Sequence, residues 1–392
     1  MKILSSSRTR TRIGLSGILA WTGLALTALA PVAAQAQSYT LTDLGTLGGT
    51  YTYSQGNGVN ASGQVAGYAG TASNDTHAFL SGVNGGALKD LGTLPGASTS
   101  TGFGVNASGQ VTGYSTMAGG SNTHAFLSGP NGGALQDLGT LPGGGYSLGF
   151  GVNVSGQVTG VADPGNGNFG HAFLSGPNGI GLTDLGTLGG GFSQGNGVND
   201  GGQVAGDSST AGGAVHAFFF SQGAMTDLGT LGGTNSSDAG VNASGQVSGD
   251  SDTAGGTVRA FLSGQHGGTL QDLGTLGGTY SFGRGVNAQG QVVGGSSTAR
   301  GAQDAYIFSN GVMTDLNRLI APGSGFMLTQ ATGISDTGFI TGYGVNRNGQ
   351  EDAFLLTPNA NPVPEASSVI SLALMLALGL AELAVARRKR MA

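Results

Sequence analysis

Apolar residues in this chain come in short runs of two to four, bounded by Gly, Asn and Ser. Between residues 38 and 358 no stretch repeats them at a helical period, so the pattern predicts short strands joined by turns. One unit shows the order. Gly102-Phe103-Gly104-Val105-Asn106 predicts a strand, and Ala107-Ser108-Gly109 a turn. Gln110-Val111-Thr112-Gly113-Tyr114 follows as a second strand, and His124-Ala125-Phe126-Leu127 as a third. Asn131-Gly132-Gly133 turns the chain again, and Ala134-Leu135-Gln136-Asp137-Leu138 is a fourth strand. The turns have a physical basis. Asparagine and serine side chains accept bonds from nearby backbone amides, and the glycine that follows takes positive φ without a steric cost.

The unit recurs seven times. Its closing phrase, Asp-Leu-Gly-Thr-Leu, begins at Asp43, Asp90, Asp137, Asp184, Asp227 and Asp272, with a degenerate seventh version at Asp315. Four strands in about 45 residues match one blade of a β-propeller. A lone copy should not fold. Its few large apolar groups contribute about 1.5–3 kcal/mol each, against ~1–2 kcal/mol of backbone entropy for each ordered residue. Neighbouring copies must cover its faces. The phrases are also offset. The last copy, ending at Asp352-Ala353-Phe354-Leu355, has no Asp-Leu-Gly strand after it, whereas Tyr39-Thr40-Leu41-Thr42-Asp43-Leu44 stands alone at the front. The expected fold is therefore an all-β, seven-bladed propeller closed by its N-terminal strand, spanning residues 37–358. The alternative, an open β-solenoid, needs no such offset.

His-Ala-Phe recurs at His77, His124, His171 and His216, with Arg259, Asp304 and Asp352 in the later copies. In this wording the chain resembles the HAF family of extracellular repeat proteins, over nearly all of residues 38–356. The resemblance implies an exported protein and brings no mechanism with it.

Both ends support export. Arg8, Arg10 and Arg12 precede an apolar stretch at 13–29, and Ala34-Gln35-Ala36 is a small-x-small cleavage site. That is the three-part pattern of a signal peptide over residues 1–36, with Ala34 and Ala36 read by signal peptidase. At the other end, Val363-Pro364-Glu365 precedes an apolar run at 369–386, long enough to span a bilayer, and then Arg387-Arg388-Lys389-Arg390. This tail, residues 359–392, resembles the PEP-CTERM sorting signal of Gram-negative bacteria. Ala366 departs from it, standing where that signal usually has a second proline. The resemblance implies an exosortase acting at Val363, Pro364 and Glu365, and membrane association only through the tail before processing.

Composition narrows the function. Glycine supplies 80 of the 392 residues, without a collagen period, and there is no cysteine, so neither disulfides nor thiolate chemistry are possible. Residues 37–361 hold six Lys/Arg against eighteen Asp/Glu, which argues against nucleic acid as a partner. The four repeated histidines occupy equivalent places in successive blades, too far apart to share a metal ion, and the Asp of each Asp-Leu-Gly reads as a turn cap. Asp250-Ser251-Asp252 is the only close acidic pair with a calcium-loop flavour, and it lacks a third carboxylate. Asn60-Ala61-Ser62 and its copies match glycosylation acceptors but read better as turns. Charges that break the repeat gather late, at Arg259, Arg284, Arg300, Asp304, Arg318, Arg347 and Glu351. The sequence thus assigns no catalytic, cofactor-binding or metal-binding residue. The expected function is non-enzymatic: adhesion, binding or a structural role at the cell surface, with exopolysaccharide or matrix proteins as partners. The alternatives are an extracellular carbohydrate-active enzyme using Asp304 or Glu351, and a cation-dependent binding module.

Overall fold

A computed structural model of the chain describes residues 37–48, 53–120, 122–165 and 169–359. The signal peptide, the sorting motif at Val363, Pro364 and Glu365, and the apolar run at 369–386 lie outside the described residues. Among the described residues no helix is long and apolar enough to cross a membrane.

The expected architecture is present. Seven four-stranded antiparallel sheets follow one another, six of them built in simple chain order at residues 54–90, 100–137, 147–184, 189–227, 232–272 and 277–315. In the seventh, Met327–Ile334, Ile340–Val345 and Glu351–Pro358 are completed by the N-terminal strand Tyr39–Gly45. Its register runs from Tyr39 opposite Pro358 to Asp43 opposite Phe354. The two ends of the ring are fastened together: Asn359 N–H donates to Ser38 O at 2.9 Å, and Thr40 Oγ1 donates to Asn359 Oδ1 at 2.7 Å. The first strand of every blade lines one central channel. The fourth strands form the rim and are mostly exposed, as in Gly86–Asp90.

No blade has a core of its own. Seven apolar clusters each draw on two consecutive blades. Ala78 and Leu80 of blade one, for example, pack with Val111 and Phe126 of blade two. The aromatic of each third strand (Phe79, Phe126, Phe173, Phe218, Phe261, Tyr306 and Phe354) is fully buried. In six blades it packs over the glycine of the second strand, and Phe354 of the seventh lies opposite Gly342. A Cβ at Gly113 would drive into Thr101 O and lie 2.9 Å from the Phe126 ring, so only glycine allows that approach.

Two polar side chains tie each blade to the next. The turn asparagine does more than cap. Asn106 Oδ1 accepts from Ser108 N–H and Gln110 N–H, while Nδ2 donates 3.0 Å to Asn153 O of the following blade. The same link runs from Asn60 through Asn153, Asn199, Asn242 and Asn287, ending on Ser335 O. Ser335 is too short to continue it, and Thr337 Oγ1 donates to Ala61 O across the closure instead. These asparagines are buried with their amides engaged, which fits the turn reading rather than a glycosylation site. The second tie is the serine that opens the first strand. Ser100 Oγ accepts from Ala78 N–H and donates to Gly92 O of the preceding blade. Ser54 repeats this at the closure, accepting from Ala353 N–H at 2.9 Å and donating to Gly45 O at 2.5 Å.

The seventh Asp-Leu phrase departs from the expected all-strand reading. Asp315 caps a short 3₁₀ turn, Leu316–Arg318, by accepting from Asn317 N–H at 2.8 Å. Leu316 and Ile320 then fill the junction of blades six and seven, where the serine tie is missing and Asn317 pairs with Leu328 backbone. Two further 3₁₀ turns, Val83–Gly85 and Pro177–Gly179, occupy the third-to-fourth strand loops of blades one and three.

Deleting residues 38–47 removes the closing strand together with Ser38 O and Gly45 O, the acceptors for Asn359 N–H and the Ser54 hydroxyl. The expected result is loss of cooperative urea unfolding monitored by circular dichroism, whereas an open array would only fray at one end. Ser54→Ala leaves a buried N–H and a carbonyl without partners and should cost about 1–3 kcal/mol in the same assay.

A candidate binding site in the central channel

The channel encloses about 480 Å³, a volume suited to a small ligand. Its lining comes mainly from the last three residues of each first strand. The closing Gly-Val is nearly constant, so the residue before it sets the chemistry: Asn57, Phe103, Phe150, Asn196, Ala239, Arg284 and Thr332 around the ring. The ring is symmetric in backbone and asymmetric in side chains.

One wall is aromatic. Phe103 and Phe150 meet edge to face with centroids 5.2 Å apart, and Tyr114 packs behind Phe103 at 5.9 Å. The other wall is acidic and belongs to blades four and five. Asp207 replaces the tyrosine found at the same place as Tyr68, Tyr114 and Tyr343. Asp238 replaces a glycine found at the same place as Gly56, Gly102, Gly149, Gly195 and Gly283. The pair is held tightly: Asp207 Oδ1 accepts from Asp238 N–H at 2.7 Å. Asn196 Nδ2 donates to both, 3.1 Å to Asp207 Oδ2 and 2.9 Å to Asp238 Oδ1, and Gln194 Nε2 reaches Asp207 Oδ2 at 3.1 Å. Asp207 is 6% and Asp238 3% exposed. Burial pushes the Asp207 carboxyl up to about 6, partly offset by the amide donors. Burial, reinforced by the charge of Asp207, holds Asp238 well above the usual carboxylate range. Asp250, on the neighbouring strand, is likewise pushed up to about 6 by burial, with Arg284 pulling the other way from 3.6 Å. The Arg284 guanidinium also lies over the Phe282 ring, 5.6 Å from its centroid.

The residues singled out from sequence fall elsewhere, apart from Arg284 and Asp250. Each repeated histidine donates or accepts through Nδ1 with the rim aspartate of its own blade: His77 with Asp90, His124 with Asp137 and His171 with Asp184 at 2.9 Å, and His216 with Asp227 at 2.8 Å. Those aspartates also cap the following turn, as Asp137 does by accepting from Gly139 N–H. Asp250 and Asp252 take separate partners, Arg284 for one and Asn235 for the other. Among the described residues no three His, Asp or Glu side chains converge as a metal ion requires. Asp304 sits on blade six beside Asp315 and Arg318. Glu351 sits on blade seven and accepts from Gln55 Nε2 at 2.7 Å, and Gln55 Oε1 in turn accepts from the Tyr68 hydroxyl at 2.6 Å. Sequence reading missed Asp207, Asp238, Gln194 and Asn196. The available signal was the loss of a constant glycine at Asp238.

The raised carboxyls set a direction for pH dependence. A folded-state pKa above the unfolded value of about 4 means that the folded protein holds the proton more tightly. Their contribution is complete below that value and is lost as pH rises through about 6. Asp238→Asn removes one charge while keeping an acceptor for Asn196. It should match wild type near pH 4 and exceed it at neutral pH, by roughly 1.4 kcal/mol per pKa unit relieved, in urea midpoints measured across that range.

No family model matches the chain, and no curated protein matches it in sequence. Solved structures match its fold. The β-propeller domain of the trilobed protease from Pyrococcus furiosus, which has an open velcro topology, superposes with a TM-score of 0.51 at 9% identity, over 82% of this chain and 97% of that one. A puromycin-hydrolyzing peptidase of Mycobacterium tuberculosis gives 0.51 at 12% identity, over 82% and 56%. TolB from Acinetobacter baumannii gives 0.43 at 12% identity, over 76% and 64%. The chain therefore spans less than two thirds of TolB and little more than half of the peptidase. At such identities the likeness is one of fold: the chain is a seven-bladed β-propeller.

Proposed function

We propose that this chain is an exported, non-enzymatic binding protein of the cell surface or extracellular matrix, and that it takes its ligand in the central channel. One observation carries the reading: side chains that depart from a sevenfold pattern gather in one cavity, with an aromatic wall beside an acidic one. Constant positions hold the ring together, so the variable ones are free for recognition. The terminal sequences supply the address, with Ala34 and Ala36 offered to signal peptidase and Val363, Pro364 and Glu365 to an exosortase. Exopolysaccharide and matrix proteins are the partners this location brings within reach. A glycosidase built on Asp304 and Glu351 finds no support in their surroundings, since Asp304 stands on blade six near Asp315 and Arg318, while Glu351 on blade seven accepts from Gln55 of blade one.

Fractionation of a producing bacterium tests the address. Mature protein beginning at Gln37 is expected in the surface or culture fraction, and retention in the cytoplasm would overturn the reading. An array of glycans and matrix proteins tests the site. Binding should fall about tenfold or more in Phe150→Ala, as expected for loss of an aromatic anchor. Binding that ignores this substitution would move the ligand out of the channel.

A further inference from the structure

Resting on the channel as the ligand site, we propose that the group it receives is an organic cation, a primary ammonium or guanidinium carried on an apolar stem. The acidic wall has an unmet hydrogen bond. Asp238 is nine-tenths buried and lines the cavity, yet its Oδ2 has no hydrogen-bond partner, whereas Oδ1 is held by Asn196. In the ionised form, which a bound cation stabilises, the carboxylate only accepts, so the missing partner of that form is a donor. A second buried oxygen on the same blade, Ser248 Oγ, is also without a partner. It lies behind the channel wall, where a Cβ added to Gly240 would come within 3.8 Å of it. Its counterparts Thr112 and Thr159 donate to third-strand carbonyls.

The same wall also carries more negative than positive groups. Asp207, Asp238 and Asp250 stand on two adjacent blades against one guanidinium, and Arg284 pairs only with Asp250. Every other donor around Asp207 and Asp238 is a neutral amide, hydroxyl or backbone N–H. A neutral polyol would fill the empty hydrogen bond and leave the buried charge uncompensated, whereas a cation does both. A metal ion would need several converging oxygens, and this arrangement does not supply them.

Room for the Asp238 side chain is made by changes in the preceding blade. At Gly195 a Cβ would collide with Thr159 Oγ1 of the preceding blade, and at Gly149 it would lie 2.5 Å from Thr112 Oγ1. For Asp238 the equivalent neighbour is Ala205, which has no hydroxyl, and the Asp207 carboxylate receives the Asp238 N–H. The stem then meets Phe103 and Phe150 across the same cavity, where ring faces favour a cation and ring bodies an apolar chain.

The test is calorimetric titration of the mature protein at neutral pH and low salt with three probes: benzylammonium, benzyl alcohol and glucose. Benzylammonium is expected to bind at least about tenfold tighter than the other two. Asp238→Asn should lower its affinity by a similar factor, and Arg284→Gln, which removes the competing cation, should raise it. Misfolding cannot produce that rise, and melting curves monitor the Asp238→Asn variant. Benzyl alcohol or glucose binding as well as benzylammonium would overturn the cation while leaving the channel as a binding site. Benzylammonium binding unchanged in both variants would overturn the placement at Asp238. No heat from any probe at millimolar concentration would overturn this proposal, and the array would then decide the channel reading by itself.

Discussion

Each blade depends on its neighbour for nearly everything that makes it a folded object. The apolar clusters lie between blades, and the opening serine and turn asparagine spend hydrogen bonds on the adjacent copy. A single blade exposes too much apolar surface and leaves too many backbone groups unpaired to persist. Closure is therefore the constraint on which the ring depends. Tyr39–Gly45 supplies the rim strand of blade seven, and Gly45 O receives the Ser54 hydroxyl of blade one. The weakest repetition falls around that blade. Ser335 interrupts the asparagine chain, the serine tie is missing between blades six and seven, and an enlarged apolar cluster with Leu316 and Ile320 occupies that junction.

A ring held by constant positions can vary the others at little cost. The channel position changes from asparagine to phenylalanine to arginine without disturbing the Gly-Val that follows. Asp238 is a different kind of change, because it enters a position where most blades have no room for a side chain. It is tolerated only in combination with Ala205, Asp207 and Asn196, and it leaves one carboxylate oxygen unmatched. Burying carboxyls in this way works against stability at neutral pH, and the repeat itself shows the stable alternative, a glycine. Such local conflict with a regular pattern is the usual mark of a site that serves binding rather than folding.

The sequence by itself determined the strands, the turns, the sevenfold count and the closing role of the N-terminal strand. All of these follow from local chemistry and from the one-strand offset of Asp-Leu-Gly against Ala-Phe. It also marked the histidines and rim aspartates as local hydrogen-bonding groups, although not as partners of one another. The tertiary structure alone decided what meets in the channel. Asn196, Asp207, Asp238 and Arg284 come from three blades and touch or face one another only because the ring brings their strands around one axis. It likewise put Asp304 on blade six and Glu351 on blade seven with different neighbours, although sequence position had grouped them. Strand period and turn chemistry act over a few residues and can be read along a chain. Burial and charge pairing depend on contacts between blades, from 31 positions apart for Asp207 and Asp238 to 42 for Asn196 and Asp238, and only the packing of blade on blade creates them.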